Sequence, residues 1–128
     1  MTAAITAAEF RATQVKPKKS KYRNIPVEVD GIRFASKAEA ARYNVLKLRE
    51  KAGEIGGLEL QRRFPIIVGA GAVVTVYVSD FAYWDHQRDR FVVEDVKGVA
   101  TPVFRLKQKL MQAVLGIDVE VIKARRKA

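Results

Sequence analysis

A chain of 128 residues, 48% of them hydrophobic, has the length of one domain and enough apolar content for a real core. It has no cysteine, which excludes a disulfide framework, a thiolate nucleophile and a cysteine-ligated zinc site. The formal charge of +10 points to a polyanionic partner, most simply nucleic acid, and no apolar run reaches the roughly 18 residues of a membrane span.

Residues 1–24 read as a basic, flexible arm. TAAE (6–9) has the form of a capping box between Thr6 and Glu9. VKPKKSKYRN (15–24) then concentrates Lys18, Lys19, Lys21 and Arg23, side chains suited to phosphate. The arm lacks the apolar block of a signal peptide and carries an early acid, so a cytoplasmic location is expected. The folded body is expected over 25–122, followed by a second basic tail, 123–128, with Arg125 and Arg126.

VEVDGIRF (27–34) signals a hairpin around a tight Asp30-Gly31 turn. SKAEAARYNVLKLREKAGEI (36–55) predicts a helix capped by Ser36. Its apolar stripe is Ala38, Ala41, Val45, Leu48, Ala52 and Ile55, with an end at Gly53 or at the Gly56-Gly57 pair. Three strands are expected at about 58–68, 72–85 and 90–97, joined by GAG (69–71) and HQRD (86–89). The glycines of GAG are not followed by Gly-Lys-Ser/Thr, so they are read as a turn and not as a phosphate loop. A second helix starts at Thr101 with Pro102 in first position, presents Val103, Leu106, Leu110 and Val114 on one face, and stops at Gly116. IDVEVI (117–122) alternates as a last strand. After the hairpin, the order is α-β-β-β-α-β.

A four-residue HQRD turn fixes the pairing of the strands that flank it. Asp85 then opposes Arg90, Trp84 opposes Phe91, Ala82 opposes Val93, Asp80 opposes Asp95 and Val78 opposes Lys97. Side chains directly opposed across antiparallel strands have Cβ atoms about 4.5–5.5 Å apart. Two carboxylates are therefore expected side by side among apolar neighbours, where each raises the other's pKa. Two arrangements relieve the repulsion. Lys97 can neutralise one acid at a sheet edge, or a divalent cation such as Mg²⁺ can bridge both.

This pattern resembles the PD-(D/E)xK nuclease superfamily. In VSDFAYWD, Asp80 matches the first motif acid, preceded here by Ser79 in place of proline. In EDVKG, Asp95 and Lys97 match the second motif, with Asp in place of the commoner Glu. In FASKAEAARY, Glu39 matches the helix glutamate. The compact layout, over roughly 32–122, is most similar to phage and archaeal Holliday-junction resolvases and related phage-encoded endonucleases. The resemblance implies a restriction-endonuclease-like α/β core, with a mixed central sheet flanked by helices. It also implies a Mg²⁺-dependent DNA endonuclease, with Mn²⁺ as a substitute, that hydrolyses phosphodiester bonds in Holliday junctions or other branched DNA inside a bacterial or phage-infected cell. Asp80, Asp95, the Val96 carbonyl and Glu39 would hold metal, Lys97 would orient water and stabilise developing charge, and Lys107 and Lys109 would hold the scissile strand. Junction resolution needs two symmetric nicks, so a homodimer goes with that substrate.

Plainer roles fit several of these residues. Glu39 follows Ser36 by three, a capping box in itself. Glu94 has opposite parity to Asp95 and should point away from the pair. Lys107 and Lys109 also suit the solvated face of a helix, and His86 an exposed turn. A non-catalytic nucleic-acid-binding protein is the alternative function, but it would gain nothing from acids facing a phosphate backbone.

Overall fold

The computed structural model describes residues 25–124. The Thr6–Glu9 box and Lys18, Lys19, Lys21, Arg23, Arg125 and Arg126 lie outside them. The hairpin forms as read: β1 (Val27–Val29) pairs with β2 (Ile32–Phe34), and Asp30 and Gly31 take φ of 53° and 74°. Two consecutive positive φ values are what a two-residue hairpin turn of matching twist requires. Helix α1 (Lys37–Lys51) is capped by Ser36, whose Oγ accepts the Glu39 N–H at 3.2 Å. It ends at Ala52 and Gly53, before the Gly56-Gly57 pair, which belongs to a strand.

The first two long strands expected from the sequence each break in two. Residues 55–68 form β3 (Ile55–Leu60) and β4 (Arg63–Val68), and residues 72–85 form β5 (Ala72–Val78) and β6 (Phe81–Asp85). The breaks face each other: Gln61 has φ 55° and donates its N–H to Asp80 O, while Ser79 N–H reaches Arg62 O. Beyond this joint, β4 and β5 leave the main sheet as a separate two-stranded ribbon. The main sheet has the order β3-β6-β7-β8, completed by β7 (Arg90–Lys97) and β8 (Val119–Lys123). β3, β6 and β7 run antiparallel and β8 lies parallel to β7, so the sheet is mixed. Helix α2 (Pro102–Leu115) supplies the crossover, capped by Thr101 and closed by Gly116 at φ 68°.

Side-chain alternation divides the core between the two faces of this sheet. Phe81, Tyr83, Val92 and Val96 pack with Ala40, Tyr43 and Leu46 of α1, and with Phe34. Ala82, Val93 and Val119 pack with Phe104 and Met111 of α2, and with Phe64, Ile66 and Tyr77 of the ribbon. Among the described residues the architecture is thus a mixed α/β sheet with one helix against each face.

Both helices are rotated from the face expected, although Ala38 and Ile55 of the first stripe and Leu110 of the second do pack against the core. Val45 and Leu48 of α1 point to solvent, Leu48 at 68% exposure. Val103 and Leu106 of α2 do likewise, at 64% and 59%. In α1 the cause is charge pairing. Arg42 donates to both oxygens of Glu94, at 2.7 and 2.6 Å, and Arg49 reaches Asp85 at 3.4 Å. These contacts turn the arginine side of the helix to the sheet. Glu94 is 0% exposed and also accepts the Tyr83 hydroxyl. In α2, Phe104 sits 6.5 Å from the Tyr77 ring and under Lys97 Nζ at 4.8 Å. Gln108 Nε2 donates to Val119 O at 3.1 Å and Lys107 Nζ to Val76 O at 3.3 Å. That side of the helix is anchored, so Val103 and Leu106 are left outside.

Removing one partner of a buried ion pair strands the other charge, at a cost of about 3–5 kcal/mol. Arg42→Met should therefore destabilise the fold by about that much, well beyond the roughly 1 kcal/mol expected for removing the α2 cap with Thr101→Ala. Arg42→Met combined with Glu94→Leu should recover most of the loss. Urea denaturation of the four proteins at neutral pH measures all three effects.

Candidate functional site

The joint between the sheet and the ribbon lies beside the end of β7. The β6–β7 register runs from Asp85↔Arg90 to Phe81↔Glu94, as the HQRD turn predicted. One residue further, Asp80 N–H donates to Glu94 O at 3.1 Å and Asp80 Oδ2 accepts the Val96 N–H at 2.7 Å. Asp80 thus hangs from the Glu94–Val96 segment by its backbone and by one carboxylate oxygen. Val78, however, does not oppose Lys97. The break at Ser79–Asp80 carries Val78 to Arg63 on the ribbon, and the in-register neighbour of Lys97 is Lys123 on β8.

Asp95 is 3% exposed and held by a residue that sequence reasoning missed. Tyr77 donates its hydroxyl to Asp95 Oδ2 at 2.6 Å. The signal for it was weak, because a tyrosine in a strand of valines reads as core. Lys97 Nζ lies 3.2 Å from Asp95 Oδ1, but without the alignment of a hydrogen bond. Oδ1 is the buried side-chain oxygen left with no hydrogen-bond partner among the described residues. A buried carboxylate oxygen in that state is costly unless something positive meets it, and the Lys97 ammonium does so here, the first of the two arrangements expected from the sequence.

Asp80 bears the electrostatic penalty of this proximity. Its pKa is raised well above the ordinary carboxylate range, first by burial and then by the charge of Asp95. The Val96 N–H works in the opposite direction, and the charge of Glu39 adds to the rise. Glu39 is therefore electrically part of the cluster, although its carboxylate is turned to the Ala35 N–H at 3.4 Å at the start of α1. A proton on Asp80 and a divalent cation are alternative ways of removing the same repulsion. Among the described residues, no three His, Asp or Glu side chains form a ready metal cage. The donor set is two carboxylates, which suits a Mg²⁺ ion that keeps waters and takes phosphate oxygens.

The remaining expected residues are scattered. Glu94 faces α1 as its parity required. Lys107 is bound to the ribbon through Val76 O, whereas Lys109 borders a groove of about 440 Å³ with Arg105, Gln112 and Asp118. The two lysines therefore do not form one surface. His86 lies exposed in the β6–β7 turn, its N–H on Glu54 O. Tyr83 is core, with its hydroxyl pKa pushed up to about 12 by burial and by Glu94, while Trp84 is half exposed. Charge is distributed unevenly. Residues 25–124 hold 15 Lys and Arg against 13 Asp and Glu, so +2 of the formal +10 belongs to the body and +8 to residues 1–24 and 125–128.

A family described as "Protein of unknown function (DUF1064)" matches residues 19–124. No curated protein and no solved structure matches the chain.

The raised pKa of Asp80 has a stability consequence of definite sign. The neutral form is favoured in the folded state, so the associated stability is fully present below the unfolded value of about 4 and is lost as pH rises through the folded one. In EDTA at neutral pH, Asp80→Asn should therefore be more stable than the parent, by something on the order of 1 kcal/mol. The difference should vanish below about pH 4. Mg²⁺ should stabilise the parent increasingly as pH rises, and the variant less. Thermal melts across pH, with and without Mg²⁺, test both signs.

Proposed function

The chain belongs to the DUF1064 family, whose description carries no activity, and on that premise we propose that it is a metal-dependent DNA endonuclease acting on branched substrates. One observation carries this reading. Asp80 and Asp95 meet at a strand end with one oxygen of each fixed by the protein, and Asp95 Oδ1 is buried, free of hydrogen bonds and ion-paired to Lys97 at 3.2 Å. The order of elements and the mixed sheet agree with a restriction-endonuclease-like core.

Asp80 and Asp95 would hold Mg²⁺, or Mn²⁺ in its place, with the Val96 carbonyl as a further donor. The ion supplies Lewis-acid polarisation of the scissile phosphate and lowers the pKa of a bound water. Lys97, an ammonium at the same edge, orients the attacking water and donates to the phosphoryl oxygens as negative charge builds on them. Glu39, at the start of α1, positions water or completes the donor set. The water oxygen bonds to phosphorus as a bridging P–O bond breaks, and the strand ends leave as a phosphate monoester and a hydroxyl.

Binding strength would come mainly from outside this edge. The body is nearly neutral, whereas the segments that precede Ile25 and follow Ala124 are strongly basic. Val27 and Ala124 both pack against the cluster that contains Val96, and Ala124 N–H donates to Lys97 O at 3.1 Å. The described chain therefore ends beside Lys97. Acids in that position oppose a polyanion unless a cation intervenes, which weighs against a purely binding role. Two symmetric nicks in a junction would call for a homodimer.

Purified protein incubated with labelled junction, flap and linear duplex DNA, in Mg²⁺ or EDTA, tests the activity. Asp80→Asn, Asp95→Asn and Lys97→Ala should each abolish cleavage and leave DNA binding largely intact. Full activity in any one of them would remove that residue from the mechanism.

Deleting residues 15–24 or 125–128 should weaken binding on every sequence and flatten its salt dependence. The log–log slope should fall by about 0.9 for each phosphate that is no longer neutralised. Fluorescence anisotropy at several salt concentrations measures the slope, and an unchanged value would place those segments away from DNA.

A further inference from the structure

Resting on the reading of Asp80 and Asp95 as cation ligands, we infer that Tyr77 is a positioning residue that fixes which oxygen of Asp95 faces the metal. Asp95 has two oxygens in different situations. Oδ2 accepts the Tyr77 hydroxyl at 2.6 Å, and Oδ1 has no hydrogen bond and lies 3.2 Å from Lys97 Nζ. Without the tyrosine, the carboxylate could rotate about its last bond and exchange the two. With it, one oxygen is presented. Asp80 is held in the same manner, Oδ2 by the Val96 N–H. The two tethers together convert a repelling pair of acids into a pair of monodentate donors.

Tyr77 is well suited to this. It is 2% exposed and wedged between Phe64 and Phe104, with ring centroids 6.3 and 6.5 Å away, so its hydroxyl has little freedom. Burial, and then the bond to Asp95, keep it protonated and therefore a donor at any working pH. It belongs to β5 of the ribbon and not to the sheet that carries Asp95. The site is thus held by an element outside the sheet, and the angle of the ribbon at the Ser79–Asp80 joint sets the placement of the tether.

The structure contains its own control. Tyr83 makes the equivalent bond to the other buried acid of β7, Glu94, on the opposite face of the sheet. Tyr77→Phe and Tyr83→Phe each remove one hydroxyl from one buried carboxylate and leave the rings in place. Mn²⁺ is titrated against the full chain without DNA, and free Mn²⁺ is read by electron paramagnetic resonance. Tyr77→Phe should bind about 10- to 100-fold more weakly than the parent, the loss usual for an outer-shell partner of a metal ligand. Tyr83→Phe should match the parent. Cleavage by Tyr77→Phe should recover at raised Mn²⁺, since the defect is one of affinity. Equal affinity in Tyr77→Phe and the parent would overturn the inference, as would equal losses in both variants, which would mark a general loosening of the fold. A parent that binds no Mn²⁺ would overturn the metal reading itself, and that result is visible before any variant is compared.

Discussion

A carboxylate with no exposure to water, Glu94, sits in the middle of the sheet, and the rest of the molecule is arranged to satisfy it. Arg42 meets both of its oxygens and the Tyr83 hydroxyl closes the set. Because the fork comes from α1, the helix must lie with its arginines toward the sheet. Because Glu94 occupies that face, alternation sends Asp95 and Lys97 to the other. The Glu94 carbonyl then receives the Asp80 N–H, so the same residue that fixes the helix also places the partner of Asp95. A buried ion pair adds little net stability over apolar packing, but it tolerates few alternative arrangements. Here that intolerance is its use: the helix that carries Glu39 and the strand that carries Asp95 cannot slide past one another.

The sequence was most legible where short-range chemistry decides. The HQRD turn fixed the β6–β7 register, Asp30-Gly31 fixed the hairpin, and Ser36, Thr101 and Gly116 marked helix ends through caps that act within a few residues. The meeting of Asp80 with the Glu94–Val96 segment followed from that register. What failed was decided at long range. The stripes Val45–Leu48 and Val103–Leu106 are exposed, and the faces actually buried carry Ala40, Tyr43 and Leu46 in one helix and Phe104 and Met111 in the other. The stripes lost because Arg42 and Arg49 have partners on the sheet and because Phe104 fits between Tyr77 and Lys97. The strand breaks were hidden for another reason. Neither Gln61-Arg62 nor Ser79-Asp80 carries glycine or proline, and the positive φ of Gln61 leaves no trace in composition. Tyr77 escaped notice because its role depends on the fold-back that those breaks create.

Division of labour follows from the distribution of charge. The folded body is close to electrically neutral, and several of its arginines are committed to its own carboxylates: Arg42 to Glu94, Arg49 and Arg88 to Asp85, Arg88 and Arg90 to Glu120. The network around Asp85, whose pKa is held far below the ordinary range by Arg88, ties the β6–β7 turn to β8. Cations used in this way cannot also serve a phosphate backbone. The remaining +8 of the formal charge lies outside residues 25–124, so the acidic pair is buried in a body without a strongly positive surround.

The ribbon has a property that concerns other copies of the chain. Its bonded pairs recur at every second residue from Arg62–Ser79, so at Pro65 and Val76 the backbone polar groups face outward, one on each edge. Its outer surface is apolar, with Ile67, Val73, Val74 and Val78 exposed. Two open edges and such a surface are the ingredients from which strands add to strands and aggregates grow. Both edges are blunted at their centre. Pro65 has no N–H to offer an incoming strand, and the Val76 carbonyl is already occupied by Lys107. Lys107 thus caps the one outward carbonyl at the centre of that edge, as the proline ring removes the donor at the centre of the other.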